Sequence, residues 1–292
     1  MVMMDGHTVG VVIPAHNEEQ HIRQVLETIP SFVDHAVVID DGSTDETFSV
    51  AKSVDSSANV TILQTKGLGV GAAIDLGHQH LLENIQKPFI SVVMAGDGQM
   101  DPSDLSAIIR PIIEGEADHV KGNRMTTSED IEQMPKRRRR ASRILGWLTT
   151  LASGRVVRDP QCGYTATSSK LLEQWNWERS WQGYGYPNYW LIHLSSQRFR
   201  VVDVPVKAVY GGEKSGIKPI NFFLKVGLMM SIEHHKRAFK HLPKSPWMML
   251  SFLFYIAGYV SIGFALKQPL AILGLPIGWW IAHRLDRLAM CQ

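Results

Sequence analysis

Two acidic signatures each end an apolar, β-branched run: Val37-Val38-Ile39-Asp40-Asp41-Gly42-Ser43-Thr44-Asp45, and Ser91-Val92-Val93-Met94-Ala95-Gly96-Asp97-Gly98-Gln99. Such runs are strands of an α/β sheet, whose ligands bind at the carboxyl ends of the strands. Carboxylates delivered to neighbouring strand ends make a nucleotide-dependent transferase the first expectation. Pro14-Ala15-His16-Asn17-Glu18 ends an earlier run and, with Asp40 and Asp41, supplies acceptors for a base and a ribose. Turn formation and helix capping account for each motif taken singly; their joint presence favours a site. His16 lies in that loop without neighbours that would make it a catalytic base. At the second strand end, Asp97 and the side-chain oxygen of Gln99 offer hard donors that suit Mg2+ or Mn2+ held against a diphosphate.

Thr65-Lys66-Gly67-Leu68-Gly69-Val70-Gly71 lacks the GxxxxGKS/T spacing of a phosphate loop. It reads as a close-packed loop beside the nucleotide with Lys66 in direct contact, or as glycines with a purely structural role. Arg124 ends the segment His119-Val120-Lys121-Gly122-Asn123-Arg124, and its guanidinium suits a phosphate. Lys136-Arg137-Arg138-Arg139-Arg140, followed by Arg143, forms a local basic patch. A nucleic-acid contact and a solvated face are the alternatives to anionic lipid or a lipid phosphate. No zinc finger, aromatic nucleic-acid motif or repeated basic periodicity supports nucleic acid, and an apolar tail favours lipid. Asp159, before Pro160, either orients a sugar or serves as a buried cap. The stretch from Trp181 to Trp190, with Tyr184, Tyr186 and Tyr189, lines a sugar or lipid entrance or forms aromatic core.

Elements must hold these residues in place. Val9–Ile13 reads as a buried strand broken by Pro14, and 18–29 as a helix with Ile22, Val25, Leu26 and Ile29 on one face. A strand at Ala36–Ile39 delivers Asp40 and Asp41; Ser43 or Thr44 then caps a helix running through Val50 and Val54. Val60–Leu63 is a third strand, and the glycine loop opens a helix through Leu82. Phe89–Met94 leads into Asp97, and Asp101-Pro102 starts a helix with Leu105, Ile108, Ile109 and Ile112 inward. Alternation of strand and helix is the pattern of a mostly parallel sheet. Further on, 161–166 ends in a short strand, 168–174 is a helix and 199–209 another strand.

The 292 residues fit one α/β domain with appended elements, and the formal charge of +2 conceals the basic patch. Cys162 and Cys291 are the only cysteines, so no disulfide framework is expected and a reducing compartment fits. The opening MVMMDGHTVG is too short for a cleavable signal before strand-like sequence begins. Trp247 to Leu266 is twenty residues without a charge, long enough to span a bilayer. Lys267-Gln268-Pro269 turns the chain, and 270–282 is a second apolar segment: a short span, a re-entrant piece or an interfacial helix. Ahead of them, Phe222 to Leu242 mixes Phe223, Val226, Met230 and Ile232 with Lys225, His234, His235, Lys236, Arg237 and Lys240, which reads as an interfacial helix, histidines included, in preference to an ordinary surface helix. With Arg284 and Arg287 after the apolar pair, charge bias places the catalytic domain on the cytoplasmic face of the membrane.

Val11-Val12-Ile13-Pro14-Ala15-His16-Asn17-Glu18, Val38-Ile39-Asp40-Asp41-Gly42-Ser43-Thr44-Asp45 and Lys66-Gly67-Leu68-Gly69 together resemble glycosyltransferase family 2. Gly122-Asn123-Arg124, the basic run and Asp159-Pro160-Gln161-Cys162-Gly163-Tyr164 look like the polyprenyl-phosphate glycosyltransferases related to dolichyl-phosphate mannose synthase. The resemblance covers residues 9 to 218. It implies a GT-A fold over 1–219, an interfacial helix over 220–245, and a C-terminal membrane hairpin over 246–292. It also implies a nucleotide sugar donor, a polyprenyl phosphate acceptor, Mg2+ or Mn2+, and inversion at the anomeric carbon. Carried onto this chain, Asp41 falls at the nucleoside, Asp97 and Gln99 at the metal, and Arg124 at a diphosphate or acceptor phosphate. Arg138 and Ser142 match the spacing of the family's lipid-phosphate residues, Asp159 its acidic position after the loop, and Lys214 and Lys218 its late basic segment.

One departure stands out: the family's first metal-binding Asp is replaced by Ala95. The expected reaction is electrostatic positioning of an already anionic phosphate, with no general base. UDP-sugars are favoured over GDP-mannose from the family resemblance. Transfer to a glycan or lipid-linked saccharide, and a catalytically weak sugar-nucleotide binding module, are the alternatives. Oligomeric state is open, a homo-oligomer included.

Overall fold

Strands form where the apolar runs lie, and their register decides which strand-end residues meet. The computed structural model describes residues 6–126, 134–207, 209, 219–241 and 245–290. Seven strands make one sheet: β1 (Thr8–Ala15), β2 (His35–Asp41), β3 (Asn59–Thr65), β4 (Phe89–Val93), β5 (His119–Asn123), β6 (Thr165–Ser168) and β7 (Val201–Pro205). Their order is β3-β2-β1-β4-β6-β5-β7. β6 alone is antiparallel to its neighbours, pairing Val92 with Ala166 and Val120 with Ala166. That reversal brings the segment before β6, with Asp159 and Tyr164, to the same sheet edge as the carboxyl ends of β1, β2, β4 and β5. All the candidate strand-end motifs therefore share one edge.

The helices are α1 (Ile22–Glu27), α2 (Thr47–Lys52), α3 (Val70–Asn84), α4 (Leu105–Ile113), α5 (Lys136–Ser153), α6 (Ser169–Leu172), α7 (Tyr186–Ser196), α8 (Pro219–His241), α9 (Pro246–Ala265) and α10 (Gly274–Met290). Alternation along β1 sends Val9, Val11 and Ile13 into a core with Ile22, Leu26, Leu105, Ile108 and Ile109, while Val12 joins Ile74, Leu81, Trp190 and Val226 beyond the other face. Burying both faces explains why the strands read as continuous apolar runs.

Several expected boundaries move for visible reasons. The first helix starts at Ile22, after a turn in which Glu18 O accepts from His21 N and Ile22 N. Asn17 sits at φ +58°, and its Oδ1 accepts from Thr44 N at 2.8 Å, while Glu18 N donates to Thr47 Oγ1 at 2.7 Å. The 16–19 segment thus bonds sideways to 43–47. For the same reason neither Ser43 nor Thr44 caps α2, which begins at Thr47. The basic run, read as patch and loop, opens the 18-residue helix α5. Its burial of Leu145, Thr149 and Ala152 on one side supplies the helical period.

The second apolar tail segment is also longer than expected. After a short 3-10 turn at Pro269–Leu273, α10 runs to Met290 and carries Arg284 and Asp286. α9 and α10 pack as an antiparallel pair at close range: a Cβ on Gly278 would lie 2.7 Å from Phe254 O and 3.0 Å from Gly258 Cα. His234, read as an interfacial residue without partners, is buried, with Tyr255 and Trp279 ring centroids 4.8 and 5.6 Å away. Only His235 follows the interfacial reading, and it too meets the tail, through Tyr259 Oη at 2.8 Å.

Candidate active site: two joined cavities

Two cavities open at the carboxyl edge of the sheet and share a wall of Pro14, Val70, Ala95, Asp97 and Tyr184. One, of about 410 Å³, is bounded by Ala15, His16, Glu18, Asp41, Gly67 and Gly69. The other, of about 180 Å³, extends past Gln99 to Arg124, Arg138 and Lys207. Acceptors thus line one end and cations the other, with Asp97 between.

Asp41 anchors the first cavity. Its Oδ1 accepts from Leu68 N at 2.6 Å and from the Thr65 hydroxyl, and its Oδ2 accepts from Gly69 N at 2.8 Å. Burial pushes its carboxyl upward, and these hydrogen bonds outweigh burial, so the group lies below its ordinary value and is ionised. Asp41 therefore fixes the glycine loop as well as facing the cavity. The amino end of α3 does not open onto a phosphate: Gly71 N and Ala72 N donate to Gln182 O at 2.8 and 3.1 Å. Lys66 is exposed and outside the lining, so the direct contact expected of it is not seen, and the purely structural reading of the glycines describes this loop. Asp40, next along the strand, faces the other way. It accepts from Gln64 Nε2 at 3.1 Å and Ser43 N at 3.2 Å and does not line the cavity. Asn17 holds the Ser43-Thr44 turn, through Thr44 and through Asn17 N donating to Ser43 Oγ at 2.9 Å.

The cationic end is built around a buried ion pair. Arg124 Nε and Nη2 donate to Asp159 Oδ2 and Oδ1 at 2.8 and 3.0 Å, and Arg124 N adds a third bond to Oδ2 at 3.1 Å. Asp159 is 0% exposed. Burial raises its carboxyl, but the charge and hydrogen bonds of Arg124, with Lys121 nearby, bring the net shift below the ordinary value. Buried Lys121 donates to the main-chain oxygens of Asp159 and Gly122. Asp159 thus acts on the site through Arg124, which lines the cavity while its carboxylate partner does not. Arg138, in the first turn of α5, lines the same cavity; Ser142, one turn further, is buried outside the lining. Lys214 and Lys218 lie outside the described residues. A cation that sequence reasoning missed is Lys207, whose Nζ is 2.8 Å from Asp101 Oδ2 and 3.0 Å from Ser103 Oγ.

At the shared wall, Asp97 Oδ1 accepts from Gln99 N at 3.0 Å. Among the described residues no cluster of three His, Cys, Asp or Glu side chains forms a metal cage. One carboxylate and one amide oxygen facing a cavity nevertheless fit Mg2+ or Mn2+, which are commonly held by one or two carboxylates with water and substrate phosphate. The aromatic stretch divides between its two readings. Tyr189 and Trp190 are buried in the core; Tyr186 is buried, lines the second cavity, and donates to Gly163 O at 3.3 Å; Tyr184 is 53% exposed and borders both cavities.

The UDP-N-acetylglucosamine–dolichyl-phosphate N-acetylglucosaminyltransferase of Methanococcus voltae is 26% identical over 222 residues, 71% of this chain and 88% of that protein. The dolichol-phosphate mannosyltransferase of Pyrococcus furiosus is 27% identical over 172 residues, 56% of this chain and 47% of that protein. Glucosyl-3-phosphoglycerate synthase from Mycobacterium tuberculosis, solved with Mn2+, UDP and glucosyl-3-phosphoglycerate, matches with a TM-score of 0.56 at 22% identity, covering 80% of each chain. That likeness shows a GT-A-like α/β fold. The model of glycosyl transferase family 2 matches residues 10–175, the segment from β1 through the Arg124–Asp159 pair, and the chain belongs to that family of glycosyltransferases.

Proposed function

We propose that this glycosyltransferase moves a sugar from a nucleotide sugar, UDP-linked in preference to GDP-linked, onto a polyprenyl phosphate at the cytoplasmic face of a membrane. The observation that carries the reading is the pair of joined cavities, acceptor-lined at one end and cation-lined at the other. Pro14, Ala15, Glu18, Asp41 and Gly67 bind the nucleoside end. Arg124 and Arg138 hold the acceptor phosphate, Arg124 in the orientation Asp159 imposes. One ionised phosphate oxygen attacks the anomeric carbon as the carbon–oxygen bond to the diphosphate breaks on the opposite face, so configuration inverts and the nucleoside diphosphate leaves. The phosphate is already anionic near neutral pH, so no residue need remove a proton. Asp97 and Gln99 would hold a divalent cation, which would supply positive charge against the departing diphosphate. Everything else the site contributes is positioning in a fixed field.

The tail supports a membrane acceptor. Pro246–Ala265 is long and apolar enough to cross a bilayer. Its partner α10 meets it through glycines, the close contact that favours helix pairing in lipid. On α8, Leu224, Leu228 and Ile232 recur every fourth residue on an exposed stripe that suits an interfacial position. Of the named relatives, two carry dolichyl or dolichol phosphate in their names. The test is incubation of detergent-solubilised protein and Mg2+ or Mn2+ with a panel of sugar nucleotides and a polyprenyl phosphate, with the lipid product read by mass. A glycosyl-phosphoprenol formed from one donor is the expected result. No such product with either metal, from protein of verified fold, would direct attention to a saccharide acceptor.

A further inference from the structure

A donor entering from the Asp41 end and an acceptor phosphate entering from the Arg124 end can exchange a sugar only at the wall both cavities share. Of the five residues in that wall, Tyr184 is the aromatic one. It rides on a strap, residues 179–185, that is docked on the glycine loop. Gln182 O accepts from Gly71 N and Ala72 N, and Trp181 Nε1 donates to Tyr184 O at 2.9 Å. The docking leaves no room for side chains beneath it. A Cβ on Gly69 would sit 2.7 Å from Gln182 O, and one on Gly71 would collide with Trp181 O. At the far end Gly185 takes φ +98°, with its Cβ position 2.6 Å from Val226 Cγ2, so the backbone on both sides of Tyr184 is fixed. A backbone so constrained fixes where the exposed phenol ring is anchored, so ordering it on a ligand costs side-chain freedom but little backbone entropy.

Building on the transfer reading above, we infer that Tyr184 packs its ring against the donor sugar and positions the anomeric carbon for attack. Gly69 and Gly71 are the glycines of the loop because the strap must lie on them to place that ring. The glycine loop then serves the sugar through Tyr184 and not the phosphates through its amides, since Asp41 takes Leu68 N and Gly69 N and Gln182 O takes Gly71 N and Ala72 N.

The test compares ligands that differ only in the sugar. Calorimetry on the full-length solubilised protein would measure UDP against UDP-N-acetylglucosamine, and GDP against GDP-mannose, for wild type, Tyr184→Ala, Tyr184→Phe and Gly71→Ala. Tyr184→Ala is expected to weaken the nucleotide sugar by roughly tenfold while the bare nucleoside diphosphate stays within about twofold, and to slow turnover. Tyr184→Phe should retain both, because the ring carries the contact. Gly71→Ala should reproduce the sugar-selective loss by lifting the strap, and if it fails to fold, the exposed Tyr184 variants still decide. Equal loss of both ligands in Tyr184→Ala, or no loss of either with normal turnover, would overturn the assignment while leaving the transfer reading intact. Wild-type protein that binds neither pair would overturn both.

Discussion

Asp159 reaches the cavity only through Arg124, and that sets what its removal does. A buried ion pair broken on one side leaves the other charge uncompensated, at a cost of about 3–5 kcal/mol. Asp159→Asn is therefore expected to destabilise the protein by that order at neutral pH and to lower turnover by releasing Arg124. The sign with pH follows from the lowered carboxyl. The pair's contribution is complete above the unfolded value near 3.9 and disappears as pH falls through the lower folded value, so denaturation midpoints of variant and wild type should converge in acid. A gap that persists unchanged well below pH 4 would mean the pair is not what Asp159 contributes. Ala95 gives a second residue-scale prediction. It lines both cavities beside Asp97, so Ala95→Asp adds a carboxylate to a one-carboxylate cation site. Mn2+ titration is expected to show tightening by roughly tenfold or about 1.4 kcal/mol, and an unchanged affinity would place the cation elsewhere. Asp41, Asp97 and Arg124 were legible because strand ends were legible. Choosing Asp41 over Asp40 came from the family resemblance and not from the pattern, since alternation says that one faces away but only the packing on the two faces of the sheet says which.

Elements explain the residues that sequence missed. Lys207 joins the cationic cavity because β7 pairs with β5, Asn123 opposite Pro205, which carries the chain beyond β7 alongside the end of β5; no local pattern announces a partner so distant in sequence. The parallel strands and α3 and α4 were readable from period and glycine or proline signals. The start of α1 was not, because Asn17 and Glu18 exchange helix geometry for bonds to Thr44 and Thr47. α5 was hidden by its charges, which cover the turn that carries Arg138. At Gly278 the α9–α10 pair leaves no room for a side chain. Gly278→Leu should force the helices apart, costing about 1–3 kcal/mol as overpacking does, and expose the tail to trypsin in detergent. Nucleotide affinity should stay unchanged, because the cavity lies on other elements. Loss of nucleotide binding in that variant would show the tail to be part of the site's own stability.

At the scale of the molecule, the cationic cavity and the apolar surface share a helix. α5 presents Arg138 to the cavity in its first turn and exposes Ile144 and Trp147 further along, while α8 exposes Leu224, Leu228 and Ile232. Buried His234 ties the two helices together, its Nδ1 3.4 Å from Ala152 O at the end of α5, and its ring packs on the tail residues Tyr255 and Trp279. On the proposed function, a membrane contact through these surfaces would serve delivery of the acceptor to the cationic cavity and not the chemistry. Ile144→Ser combined with Trp147→Ser removes apolar surface from α5 without touching the lining of either cavity. The double variant is expected to lose turnover by roughly tenfold on a long polyprenyl phosphate in vesicles, the effect of about 1.4 kcal/mol. On a short, water-soluble prenyl phosphate it should match wild type, because that acceptor needs no surface to find the cationic cavity. Equal losses on both acceptors would place Ile144 and Trp147 in the folding of α5, and no loss on either would turn the membrane-facing side of the domain away from this helix.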